Sequence, residues 1–175
     1  MKKDFNYYHE QLQKYNLISA SDKEARFNFL KNILGSIGEN TTIKQPFLID
    51  IPTNLHIGKN CFINYNCTIL NTKESEIIIG NNVAISSGVS IVAVSHPGNP
   101  LTLKKWTDIP YKISIDDNVW IGANVTIAGN VHIGKNVIIG MGATITKDCQ
   151  EGLVYINRNE VLCTVEEYKK KNGYI

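Results

Sequence analysis

The sequence predicts a mainly β protein, a parallel β-helix of stacked three-sided coils. Isoleucine recurs every six residues, at Ile57, Ile63 and Ile69, then Ile79, Ile85 and Ile91, then from Ile115 through Ile121, Ile127, Ile133 and Ile139 to Ile145. Four residues after each isoleucine stands a small or β-branched residue such as Cys61, Val83, Val119 or Ala143. Three residues after it stands a type that tolerates a left-handed backbone: Asn60, Asn66, Asn82, Gly88, Asn118, Asn124, Asn130, Asn136, Gly142 or Asp148.

A period of six is neither the 3.6 of a helix nor the plain alternation of a strand. It fits a short strand and a tight corner, with the isoleucine inward beside the corner. Three units close one coil, and each coil buries its residues only against its neighbours, so the stack is the core. Asn or Gly at every sixth position would break a helix, and no 3.6-residue apolar stripe runs through this region. Ile51 is read as the start of the series, one unit earlier.

Three segments depart from the repeat. Residues 3–34 read as helical, with Phe5, Tyr8, Leu12 and Tyr15 on one face. Ser21-Asp22-Lys23-Glu24 reads as a capping box before Phe27, Leu30 and Leu34, and Gly35 as the helix end. Residues 70–78 add four residues to the period as a small loop. Residues 97–112, PGNPLTLKKWTDIPYK, form a long loop of the kind that carries function in so regular a fold. The division expected is a helical cap over 1–36, the β-helix over 37–163 and a short capped helix over 164–175.

Composition narrows the function. A net charge of +2, from 18 basic and 16 acidic residues in 175, gives no reason to expect nucleic acid or an anionic membrane as partner. No apolar run reaches the ~18 residues of a membrane span. The polar start MKKDFNYYHEQLQKYN lacks the apolar stretch of a signal peptide, so a cytoplasmic protein is expected. Cys61, Cys67, Cys149 and Cys163 form no metal-ligand spacing and read as reduced thiols; no metal is expected.

Of four histidines, His9 reads as a solvated helix residue, and His56 and His132 as outward residues just before repeat isoleucines. His96 differs. It lies in VSHPGNP, where the repeat stops and the long loop leaves, and Pro97 fixes the chain direction after it. A histidine there suits acid–base work, its unperturbed pKa being about 6.5.

From its N-terminal helices to about residue 150 the chain resembles the maltose and galactoside O-acetyltransferase family of hexapeptide-repeat enzymes. The matching stretches are QKYN, FLKNILGSIGENTTIKQPFLIDI, NLHIGKNCFINYNCTIL, VAVSHP and ISIDDNVWIGANVTIAGNVHIGKNVIIGMGATITKD. The resemblance implies a left-handed coil, acetyl-CoA as co-substrate, and a homotrimer whose active sites lie between subunits, where the 97–112 loop of one meets its neighbour. It implies that His96 deprotonates an acceptor hydroxyl and that Asn64 and Asp50 contact the acceptor. On the donor side it places Trp120 along the pantetheine channel and the Ala123 backbone N–H at the thioester carbonyl. Met141, by its backbone, and Thr146 and Lys147 fall along the CoA arm, Lys147 bringing charge to a phosphate.

Three departures bear on specificity. The family's N-terminal acidic acceptor contact falls upstream of Met1. Thr72 stands where an acidic residue is usual. Asn157-Arg158-Asn159-Glu160-Val161 replaces the segment carrying the family's arginine contacts to CoA. Two alternatives stay open: N-acetylation of an amino sugar or nucleotide-linked amino sugar, and a non-catalytic scaffold. A zinc hydratase on this fold needs about three histidine ligands, and His56, His96 and His132 lack that family's close pairing.

Overall fold

The computed structural model describes residues 4–97 and 107–174. Five complete coils and part of a sixth stack into a left-handed three-sided prism. Its first face stacks Ser36–Ile37, Leu55–Ile57, Glu76–Ile79, Lys112–Ile115 and Val131–Ile133 in parallel. The second stacks Thr42–Ile43, Phe62–Ile63, Ala84–Ile85, Trp120–Ile121, Ile138–Ile139 and Leu153–Ile156. The third stacks Phe47–Ile49, Cys67–Leu70, Ser90–Val92, Thr126–Ala128 and Thr144–Ile145.

Register is set by isoleucine on isoleucine. Ile37, Ile57, Ile79, Ile115 and Ile133 pair in sequence down the first face. Ile43, Ile63, Ile85, Ile121 and Ile139 do so down the second, where Tyr155 follows. Ile49, Ile69, Ile91, Ile127 and Ile145 complete the third. A β-branched side chain stacked this way fills the narrow interior without polar atoms and in one favoured rotamer. The series therefore begins one whole coil before Ile57. Ile51 is not its first member: residues 50–54, including the short 3₁₀ turn Pro52–Asn54, insert two residues, so counting back by six from Ile57 lands beside the true position, Ile49.

The left-handed corners explain the asparagines. Asn40, Asn60, Asn82, Asn118 and Asn136 all have φ between 55° and 61°. Each of the first four donates Nδ2 to the next one's Oδ1 at 3.1–3.3 Å, so one corner carries a continuous amide ladder. Glycine would supply the backbone conformation but not the ladder. Asn130 and Asp148 were expected at such corners and do not have positive φ. Their side chains instead accept from the Lys112 and His132 N–H groups at 2.8 Å, and Gly129 takes φ +97° next to Asn130.

Helices α1 (Phe5–Leu17) and α2 (Lys23–Ile33) close the first coil. Tyr8, Leu12 and Tyr15 are buried as expected, but Phe5 is exposed. Tyr15 donates its hydroxyl to the Ile43 carbonyl at 2.7 Å. Asn16 both donates to and accepts from Phe47 at 3.0 Å, imitating the strand that the open edge lacks. The cap of α2 is Asp22, which accepts from Ala25 N–H; Ser21 does not cap it, its hydroxyl meeting Ser19. Gly35 is no helix terminator with positive φ. A Cβ there would lie 2.5 Å from both His56 Cε1 and the Thr53 carbonyl, so close approach is what selects glycine.

At the other end Leu153–Ile156 pairs antiparallel with Glu160–Thr164. Helix α3 (Val165–Lys171) follows, with a Thr164–Glu167 capping box. Among the described residues no helix is long and apolar enough to cross a membrane.

Burial pushes the Cys149 thiol up to about 12, aided by the Asp148 charge, and the Tyr15 phenol up to about 12 against the opposing charge of Arg26. Both folded values exceed the unfolded ones, so the folded state holds these protons more firmly. Their contribution is complete below pH ~9 and is lost as pH rises toward 12. The melting temperature should fall steeply above pH ~9, and Cys149→Ala should flatten that fall. In the native protein Ellman's reagent should titrate the partly exposed Cys163 quickly and leave Cys61, Cys67 and Cys149 until unfolding.

Candidate active site

In-register coils leave only corners for extra residues. At the corner between the third and first faces, three successive coils carry insertions: residues 50–54, 71–75 and 93–111. The first two are welded together. Asn71 donates to and accepts from the Ile51 backbone at 2.9 Å, and Asn54 donates to the carbonyls of Lys73 and Ser75 at 2.6–2.7 Å. Ser75 then donates to the Ala93 carbonyl at 2.6 Å, tying them to the root of the third. That root is an antiparallel pair, Val94–Ser95 with Ile109–Pro110. The long loop is thus pinned at 94 and 110, and Lys112 already belongs to the next coil; residues 98–106 of the 97–112 loop lie outside the described residues.

The three insertions enclose a cleft of about 290 Å³ lined by Phe5, Asp50, Thr72, Val94, His96 and Asp108, among others. His96 projects from the loop root, its side chain one-third exposed. Its Nδ1 lies 3.2 Å from the Thr107 carbonyl and 3.4 Å from Asp108 Oδ1. A carbonyl oxygen only accepts, so this contact places the neutral ring's proton on Nδ1 and leaves the lone pair on Nε2. When Nε2 takes a proton, the Asp108 carboxylate lies beside the resulting imidazolium, the relation that orients and supports a catalytic histidine base.

Asp50 enters the cleft half-buried. Burial raises its carboxyl above the usual range; the Asn71 backbone N–H opposes this, and the Asp108 charge adds to it. Thr72, where an acidic residue was usual, is buried, with its hydroxyl turned to Ser75. Asp108 supplies a second carboxylate to the same cleft. It escaped the sequence reading because it lies inside a loop with no period, twelve residues past His96, and only the 94–110 pairing brings it back.

The other expected residues lie elsewhere. Asn64 sits at the corner between the second and third faces, its Oδ1 accepting from Tyr65 N–H at 2.9 Å. Ala123 and Met141 stand at the same corner, two and three coils further on, linked through Gly142 N–H to the Ala123 carbonyl at 2.8 Å. The N–H groups of Ala123 and Met141 donate no hydrogen bond among the described residues. Trp120 stands on the second face, 45% exposed, in a cleft of about 490 Å³ shared with Asn118, Asn136, Glu151 and Lys169. Thr146 and Lys147 return to the His96 corner, two coils below, braced by Asn159: it accepts from Thr146 N–H at 2.7 Å and donates to the Lys147 carbonyl at 3.0 Å. Arg158 bridges Thr144 beside them. His56 and His132 meet Ser36 and Asp116 on the first face, away from the cleft.

One chain therefore divides the set. His96, Asp50, Thr146 and Lys147 share one edge of the prism, and Asn64, Ala123 and Met141 share another. Between them lies the third face, about 15–20 Å wide at ~3.3 Å per extended residue.

A three-sided coil of stacked six-residue repeats, with a histidine at the root of a long corner loop, defines the hexapeptide-repeat acyltransferase architecture. Residues 112–147 match the bacterial transferase hexapeptide family (six repeats), and residues 55–93 the hexapeptide repeat of succinyl-transferase. The galactoside O-acetyltransferase of Lactococcus lactis subsp. lactis (strain IL1403) is 35% identical over 144 residues, 82% of this chain and 69% of that protein. The structure of a galactoside acetyltransferase in complex with coenzyme A superposes with a TM-score of 0.88 at 28% identity, covering 95% of this chain and 82% of the other. A maltose O-acetyltransferase from Clostridium difficile 630 superposes with a TM-score of 0.84, also at 28% identity, over 93% and 86% of the two chains. The chain belongs to the hexapeptide-repeat O-acetyltransferases of the maltose and galactoside family.

Asp108→Asn keeps the shape of the cleft but removes the charge beside His96. It should lower kcat about tenfold, less than the ~10²–10⁴ contributed by a general base itself, with the acetyl-CoA KM unchanged. Steady-state kinetics check this; an unchanged kcat would leave Asp108 without a part in the reaction.

Proposed function

We propose that this chain transfers the acetyl group of acetyl-CoA to a hydroxyl of a sugar or glycan, with His96 as general base. The observation that carries this is the commitment of His96 Nδ1 to the Thr107 carbonyl, which leaves Nε2 basic inside a cleft walled by two carboxylates. Nε2 removes the hydroxyl proton as the oxygen attacks the thioester carbonyl. The tetrahedral oxyanion meets the Ala123 N–H, and Asp108 stabilises the imidazolium. Collapse expels CoA as thiolate, which recovers the proton from His96, giving an acetyl ester and free CoA.

Asp50 and Asn64 hold the acceptor by its hydroxyls. Trp120 and the Met141 backbone line the path of the pantetheine, and Thr146 and Lys147 hold the CoA arm. The names of the relatives support a sugar hydroxyl rather than an amine as acceptor. Dependence on acetyl-CoA fits the cytoplasmic location expected from the sequence.

The division of these residues between two edges supports a homotrimer, in which one subunit's His96 edge faces the Asn64–Ala123 edge of its neighbour. Light scattering should give three chains per particle at micromolar concentration.

In an assay of thiol release, His96→Ala should lower kcat by ~10²–10⁴ and leave the acetyl-CoA KM nearly unchanged. Activity within a few-fold of the unaltered protein would remove His96 from the mechanism. Mixing unfolded His96→Ala and Asn64→Ala chains and refolding them together should restore activity that neither has alone. With random cyclic assembly, about one site in four (1/2 × 1/2) pairs an intact His96 with an intact Asn64. No recovery would place both residues in one subunit's site. Lys147→Ala should raise the acetyl-CoA KM several-fold, and more at low salt, because screening weakens exposed charge contacts. Truncation after Cys163 should matter less, since Lys169 already pairs with Glu166 of its own helix at 3.8 Å.

A further inference from the structure

Helix α2 carries a buried charge that forms no ion pair among the described residues. Arg26, four residues past the Asp22 cap, is only 4% exposed. Its Nε and Nη1 are buried and meet no hydrogen-bond partner among the described residues. It takes part in none of the ion pairs formed by those residues. A guanidinium cannot relieve burial by losing its proton, as a lysine would. Left unpaired it is costly, and a neutral water satisfies its N–H groups without balancing its charge.

Beside Arg26 lies a chamber of about 20 Å³, bounded by Tyr15, Lys23, Leu30, Thr41 and Ile43 among others. That is room for one water-sized particle. The neighbouring groups favour an anion. Lys23 adds a second cation, and the N-terminal end of α2 adds its partial positive charge. The Asp22 carboxylate accepts from the Ala25 N–H through one oxygen and forms no ion pair with Arg26 among the described residues. The chamber shares Lys23, Phe27, Thr41 and Thr42 with an open cleft of about 580 Å³, which gives a way in. Glu24 and Glu39 line that outer cleft without pairing with Arg26.

We propose that the chamber beneath Arg26 is a binding site for a single chloride-sized anion, which neutralises the guanidinium and fastens the helical cap to the first coil.

The test compares thermal unfolding of the full-length protein in sodium chloride and in sodium gluconate at matched ionic strength. Chloride should raise the melting temperature saturably, by about 3–5 °C at ten times its Kd. Arg26→Met, which keeps the stem and removes the charge, should abolish the difference and melt no lower than the unaltered protein in gluconate. Crystals grown in sodium bromide should show an anomalous peak beside Arg26, a result that needs no variant to fold. Equal melting in both salts, chloride dependence surviving in Arg26→Met, or a chamber without an anomalous peak would each overturn the site.

Discussion

Stacking of one isoleucine on another is the constraint on which this molecule depends. Each coil is too thin to bury anything alone, so every coil takes its stability from the two it touches. A residue inserted within a strand would turn the following side chains inside out and remove a whole layer from the interior. Insertions therefore survive only at corners, and this chain places three of them at one corner in successive coils. The cleft of His96 follows from that arithmetic. A rigid scaffold of parallel strands holds the roots of three loops in fixed relation, as catalytic geometry demands.

The same constraint separates the residues assigned to the proposed reaction. Side chains at one corner line up along the prism axis and cannot reach across a face 15–20 Å wide at ~3.3 Å per residue. Ala123 and Met141, whose N–H groups donate to no acceptor among the described residues, lie on one edge, and the histidine on another. On the proposed mechanism neither edge is a site alone. In the proposed homotrimer a neighbouring copy would bring the second edge to the first by a rotation, with no new fold, and cyclic symmetry would repeat the junction three times.

What the sequence made legible tracks where the repeat operates. The isoleucine ladder, the buried Cys61 and Val119 positions, the left-handed asparagines and the α3 cap were readable because each is fixed by local spacing. Ile49 was missed because a two-residue insertion broke the count. Asn130 and Asp148 were misjudged because composition permits a left-handed corner without requiring one, and their side chains found N–H partners on the preceding coil. His96 stood out because it interrupts a period. Asp108, Asn159 and Arg26 did not, since their meaning lies in contacts across 11 to 16 residues or more, which no local pattern records.

Asp108 bears most directly on which acceptor fits. Thr72 stands where the family resemblance leads one to expect an acid, yet the cleft holds two carboxylates, Asp50 and Asp108. Asp108 stands on the returning arm of the long loop, 3.4 Å from His96 Nδ1. A carboxylate serving both the histidine and an acceptor hydroxyl ties substrate position to proton transfer. The same fold, family and base can therefore act on an acceptor of different outline, because the loop that carries the second carboxylate can change in sequence without disturbing a single isoleucine of the stack.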